Sequence, residues 1–250
     1  MSLRSGEAWV SVSGKVAAGY PSRAAVPSPP MSTDAPTAEE RRNARTIFNR
    51  LKKRYPEIGT ALAYANPWQL LVATTLSAQT TDVVVNKVAP ALFGRWPEPA
   101  DLAAADPEEV EAVVFSTGFY RQKTKSIIAL SEDIEHRYGG VVPDDIDELV
   151  KLRGVGRKTA SVLLAEAFGQ PAIAVDTHVK RVSRRLGLTP STDPVKIEGH
   201  LKALFPRRDW GGISMRFIQF GRDVCDAKAA RCWGCPLRNR CPHPDKTPAP

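Results

Sequence analysis

The chain has 250 residues, 42% of them hydrophobic, and a net charge of +8, which excludes a wholly disordered polypeptide and leaves room for one large core or two modest ones. No run reaches the roughly 18 apolar residues of a membrane span, and the opening MSLRSGEAWVSVSGKVAAGY breaks its apolar residues with Ser, Gly and Lys, so an untargeted cytoplasmic protein is expected. Charge is uneven: residues 151–250 hold 19 Lys and Arg against 8 Asp and Glu, whereas residues 1–150 hold 16 against 19. The basic excess is gathered, as a polyanion-binding face requires.

Residues 1–37 are rich in Pro, Ser, Ala and Gly without sustained periodicity; they are expected to form a disordered tail, within which Met31 is an alternative start. From TAEERRNARTIFNRLKKRYPEIG the pattern becomes helical. Thr37 is a plausible N-cap with Glu40 at the capping-box position, Ile47, Phe48 and Leu51 form an apolar stripe, and Pro56 ends the helix. Apolar runs of helical length then alternate with short Pro or Gly breaks. Asp106-Pro107-Glu108-Glu109 places Pro at a first helical position with acids in the first turn. Only AIAVDT is short and apolar enough to suggest a strand. The expected fold class is all-α, built from many short helices.

The stretch DDIDELVKLRGVGRKTASVLLAEAFG reads as a helical hairpin. Ile146, Leu149 and Val150 make one apolar face, Ala160, Leu163, Leu164 and Ala167 make the other, and Gly169 stops the second helix. Between them lies Arg153-Gly154-Val155-Gly156. Two glycines free to take positive φ let backbone N–H groups at a helix start approach a phosphate oxygen. A plain helix–helix turn explains them equally well. Walker A and dinucleotide-binding readings fail, because Arg157 stands where the first needs Gly and Thr159 where the second does.

Lys158 follows at once. The helix dipole, the neighbouring Arg153 and Arg157, and partial desolvation all work against an ammonium there, and this suits a lysine used as a neutral nucleophile. A phosphate-binding or surface lysine is the plainer alternative. Asp176, 18 residues on, is a good N-cap for a helix beginning at Thr177, and also a carboxylate able to face the lysine across a cleft. Beyond it Lys180, Arg181, Arg184 and Arg185 recur at helical spacing, as a cationic face that is either solvated or laid on phosphates.

All four cysteines fall within 17 residues, as Cys225, Cys232, Cys235 and Cys241, spaced C-x6-C-x2-C-x5-C. Such clustering in an otherwise Cys-free chain argues for a metal rather than disulfides. Zinc is the ordinary choice, but structural zinc sites pair two short knuckles and this loop has one; four thiolates also suit an iron–sulfur cube. Arg231, Arg238 and Arg240 lie between the ligands.

Together, LRGVGRKTASVLL, IAVDTHVKRV and the cysteine spacing resemble the endonuclease III family of the helix-hairpin-helix Gly/Pro-Asp DNA glycosylase superfamily, over roughly residues 38–243. LSAQTTD and STGFYRQK also look like the family's DNA-inserting loops. The resemblance implies a six-helix domain over 60–170 and a discontinuous cluster domain built from 38–59 plus 171–245. It implies excision of oxidised pyrimidines from duplex DNA and cleavage of the resulting abasic site by β-elimination. Lys158 is then the Schiff-base nucleophile, Asp176 the catalytic carboxylate, and Cys225, Cys232, Cys235 and Cys241 the ligands of a [4Fe-4S] cluster. Gln79 and Phe119 would fill the space left by a flipped nucleotide, and Arg153, Gly154, Val155, Gly156, Arg157, Lys180 and Arg184 would hold the DNA backbone. A monomer acting in the nucleoid, with no membrane partner, is expected. Two departures stand out: Arg153 replaces the usual Pro of the turn, and Phe119 stands where Leu is common. A pyrimidine-dimer or mismatch-specific glycosylase of the same superfamily is the nearest alternative, and a non-catalytic iron–sulfur DNA-binding module the more distant one.

Overall fold

The computed structural model describes residues 35–249, so the expectation for the tail and for Met31 falls, apart from residues 35–37, outside the described residues. Among these, regular structure is entirely helical: α1 (Ala38–Arg54), α2 (Pro67–Leu76), α3 (Asp82–Arg95), α4 (Pro99–Ala103), α5 (Pro107–Val114), α6 (Tyr120–Tyr138), α7 (Ile146–Leu149), α8 (Arg157–Glu166), α9 (Thr177–Arg185), α10 (Pro194–Leu204) and α11 (Trp210–Asp223). No helix of the described residues is long and apolar enough to cross a membrane.

Local hydrogen bonding fixes where these helices begin. Thr37 and Glu40 make the capping box reciprocally, and Asp106, with Pro107 behind it, caps α5 through Glu108 N–H. Pro56 ends α1 at Arg54, because a residue before proline is pushed out of the helical region. Two local expectations change. The first arm of the hairpin shrinks to the single turn of α7, and AIAVDT is irregular up to Asp176, with Thr177 opening α9. Ala172, Ile173 and Ala174 are buried there without a neighbouring strand, and the Ala174 N–H is satisfied by Ser214 Oγ at 2.8 Å instead of a ladder.

The buried side chains sort into two cores. One runs from Leu62 to Ala172 and is assembled by α2 to α8; within it Trp68 of α2 donates to Ser131 of α6 at 3.2 Å. The other joins Ala44, Ile47, Phe48 and Leu51 of α1 to α9, α10 and α11, so that the chain's first helix packs with its last. The chain thus crosses between the cores twice, after α1 and before α9.

Both crossings are fastened by buried arginine or glutamate. Arg216 of α11, 7% exposed, donates to the carbonyls of Tyr55, Pro56 and Gly212 at 3.0–3.1 Å, pinning the strand of chain that leaves α1. Gly212 lies so close beneath it that an added Cβ would come within 2.3 Å of Arg216 Nη1. Glu198 of α10, 4% exposed, takes a bidentate pair from Arg157 of α8 at 2.7 and 3.0 Å and a further bond from Lys202 at 2.5 Å. Burial would raise the Glu198 carboxyl, but the hydrogen bonds from Arg157 and Lys202 outweigh it and hold it below its ordinary range.

These anchors carry measurable energy. Arg216→Leu strips three carbonyls of a charged donor and is expected to lower the unfolding free energy by about 2–4 kcal/mol in equilibrium denaturation. For Arg157 and Glu198, one of which is largely solvated, a double-mutant cycle with Ala should return a coupling of about 1–2 kcal/mol; additive losses would mean that the pair does not act as a unit.

Candidate functional site

A cleft of about 1240 Å³, its open mouth included, runs between the two cores. Lys158 and Asp82 line it from the first core, Asp176, Arg222 and Asp223 from the second, and residues 55–62, the crossing pinned by Arg216, form its end. The structure therefore brings Lys158 and Asp176 to one cavity from either side.

Lys158 is the second residue of α8, set there by the preceding turn. Gly154 takes φ +79°, a conformation costly for any side chain, whereas Gly156 is extended at φ −87° and serves as N-cap. One glycine is thus required by its backbone angle. The other has open space where a Cβ would stand and offers no side chain to the first-turn amides of α8, which remain available to an anion. Val155 buries its side chain in the first core and gives its N–H to Leu152 at 3.1 Å, so it braces the turn from within.

The two arginines of this stretch are not free cations. Arg153 gives its backbone N–H and Nε to Asp133 of α6 at 2.8 and 2.9 Å and Nη2 to Glu132 at 2.8 Å. The backbone bond is one that a proline could not make, so Arg153 fastens the turn to α6 rather than loosening it. Burial pushes the Asp133 carboxyl up, and the Arg153 bonds more than reverse this. Arg157 is held by Glu198, and Lys158 itself is exposed at the start of α8.

Asp176 caps α9 as expected: its Oδ1 accepts from Val179 N–H at 2.8 Å. That bond orients the carboxylate and leaves the second oxygen without a cap to make. The basic stripe beyond it divides. Arg181 turns inward to the carbonyls of Cys225 and Gly221 at 3.0 Å, and Arg185 to Asp226 and Ala227 at 2.6 and 3.2 Å, while Arg184 is exposed and Lys180 half-buried. The sequence periodicity showed four cations on one helix, but only the tertiary partners show which two serve the protein's own loop.

That loop carries the cysteines. All four are free thiols around one cavity of about 410 Å³, open mouth included. Burial raises the thiols of Cys235 and Cys241, and the other cysteines add to the effect. Cys241 donates to the Arg185 carbonyl at 3.1 Å, and the neighbouring Pro242 rests on Gly187, where a Cβ would intrude to 2.9 Å. Among the described residues no three His, Cys, Asp or Glu side chains converge closely enough to hold a single ion.

Gln79 and Phe119 share an unusual property. Among the described residues they are the two non-glycine residues with positive φ, at 55° and 48°. Each is exposed at a loop before a helix, Phe119 by 69%. Apolar exposure combined with left-handed backbone is the kind of strain that persists where a side chain must be aimed outward. Asp82 and Asp223 in the cleft were missed by sequence reasoning; the first lies in the quoted LSAQTTD stretch, while the second gave no local signal.

Comparison with known proteins agrees with this geometry. The HhH-GPD superfamily, described as base excision DNA repair proteins, matches residues 72–207. Endonuclease III of Synechocystis is 49% identical over 206 residues, 82% of this chain and 94% of that protein. Endonuclease III of Bacillus subtilis is 47% identical over 78% of this chain and 89% of its own length. A trapped covalent endonuclease III–DNA intermediate superposes with a TM-score of 0.77 at 42% identity, covering 81% of this chain and 95% of that one. On this evidence the chain belongs to the endonuclease III family of the HhH-GPD superfamily of base excision DNA repair proteins.

Proposed function

We propose that the protein is a bifunctional DNA glycosylase and abasic-site lyase that removes oxidised pyrimidines from duplex DNA. The observation that carries this reading is the cleft between the two cores, lined by Lys158 on one side and Asp176 on the other. A glycosidic bond inside a duplex is out of reach, so the damaged nucleotide must rotate into that cleft, with Gln79 and Phe119 filling the gap it leaves. Their outward aim on strained backbone supports this role. The division into a domain over 60–170 and a discontinuous one over 38–59 and 171–245 is supported by the two separate cores.

In the cleft, Lys158 Nζ, once neutral, attacks C1′ as the glycosidic bond breaks and the base departs with the bonding pair and a proton. Opening of the sugar, with the nitrogen lone pair forming C=N as C1′–O4′ cleaves, gives the imine. Loss of a C2′ proton then expels the 3′ phosphate, and water releases the lysine. The oriented Asp176 carboxylate stabilises the cationic sugar as the base leaves. Phosphates on either side of the flipped nucleotide meet the open amides of α8 and the outward Lys180 and Arg184.

The cysteine loop fits a [4Fe-4S] cluster better than zinc. Four thiols line one cavity, and among the described residues no three donors close on a point as a single zinc ion requires. Cys225, Cys232, Cys235 and Cys241 would hold the cluster, whose contribution is to cross-link the loop, and the carbonyl bonds from Arg181 and Arg185 would seat that loop on α9.

Two outcomes test the reading. Lys158→Gln should fold and bind abasic DNA yet lose the borohydride-trapped adduct and strand cleavage, while Asp176→Asn slows base release and retains some adduct on abasic DNA; a trapped complex at the wild-type rate in Lys158→Gln would make another amine the nucleophile. Protein purified without air should contain iron and acid-labile sulfide in near-equal amounts, and Cys232→Ser should lose both together with solubility. Stoichiometric zinc and no colour would sink the cluster.

A further inference from the structure

Below the loop that carries Phe119 lies a charge with no obvious reason to be there. Lys123 of α6 is 5% exposed, and no carboxylate of the described residues pairs with it. Lysine is among the residues least often buried without a partner, because the ammonium loses its hydration. Its Nζ makes one bond to the protein, to the carbonyl of Thr117 at 2.7 Å. Thr117, 1% exposed, is itself tied by its hydroxyl to the Val114 carbonyl at 2.7 Å. The next two residues are Gly118 at φ +67° and Phe119 at φ +48°.

The geometry points to Lys123 as a positioning residue that holds the Phe119 wedge in its strained, outward conformation by gripping the carbonyl two residues before it. This rests on the reading of Phe119 as the side chain that enters the DNA stack. Phenylalanine has no intrinsic preference for the left-handed region, so the loop would relax to an ordinary turn unless something outside it fixed the backbone. Phe119 makes no side-chain cap on α6, and Gly118 has open space around a would-be Cβ. The restraint comes from below, through the Thr117 carbonyl. A neutral donor on a short side chain would not reach; a lysine crosses the buried layer on its four-carbon stem and delivers a charged hydrogen bond. Burial lowers the Lys123 ammonium from its usual range, which is consistent with a group retained despite its desolvation.

A residue buried only for packing and one buried to aim a loop differ in how stability and function respond. Lys123→Met removes a desolvated charge but leaves the Thr117 carbonyl without its donor, two effects of opposite sign, so the full-length variant is expected to fold and to keep a thermal midpoint close to that of wild type. On a duplex with 2-aminopurine beside an oxidised pyrimidine, the rate of fluorescence rise that reports unstacking should fall about tenfold, the weight of one charged hydrogen bond. On a single-stranded abasic oligonucleotide, which has no stack to open, cleavage should fall less than twofold. Phe119→Ala should slow unstacking similarly, and the double variant should be no slower than Phe119→Ala alone. If Phe119→Ala leaves unstacking unchanged, the wedge reading itself is wrong. If Phe119→Ala slows it while Lys123→Met does not, or the two effects add, Lys123 does not act through Phe119. A Lys123→Met chain that melts early or fails to fold also overturns the proposal, since the lysine would then be structural.

Discussion

The placement of Lys158 depends on one ion pair: Arg157 with Glu198, which ties the first residue of α8 to α10 across the gap between the cores. The two cores are built from separate sets of helices. The cleft exists only if the two are held at a fixed separation, and the fork of Arg157 does this one residue before Lys158. A bidentate pair resists rotation as well as separation, so the lysine's position relative to Asp176 is set by a contact that touches neither. The Arg216 anchor does the corresponding work at the other crossing, where residues 55–62 close the end of the cleft.

α9 works in both directions. Its first residues are capped by Asp176, and its last turn holds the cysteine loop through Arg181, Arg185 and the close seat of Pro242 on Gly187. A nine-residue helix is short enough to behave as one stiff piece, so the carboxylate and the cysteine loop share a mount. This explains why a cysteine loop with no group in the cleft belongs to the same folding unit as the site.

Much of this was legible in the residues. Thr37 and Asp176 were read correctly as caps because a cap is a bond across three residues and needs no tertiary information. The stripe of Ile47, Phe48 and Leu51 was legible for the same reason, although which core it joined was not. Most of the misreadings involve distant partners. Arg153 and Arg157 looked like free cations because Asp133 and Glu198 lie 20 and 41 residues away. Arg181 and Arg185 were grouped with Arg184 because helical spacing reveals a face but not what covers it. AIAVDT looked like a strand because a short apolar run has no length by which to tell strand from buried coil. Lys123 sat unnoticed inside the quoted STGFYRQK, since nothing local marks a lysine as buried.

The inward-turned arginines also change what the basic charge can do. Of the 19 Lys and Arg in residues 151–250, Arg153 and Arg157 are neutralised by carboxylates, and Arg181, Arg185 and Arg216 spend their donors on the protein's own carbonyls. The latter three still contribute to the long-range field that draws a polyanion in, but cannot wrap a phosphate oxygen. Field and contact are therefore decoupled. The rate of encounter should reflect the whole basic excess, whereas the number of counterions displaced from a bound duplex is limited to the cations that face outward.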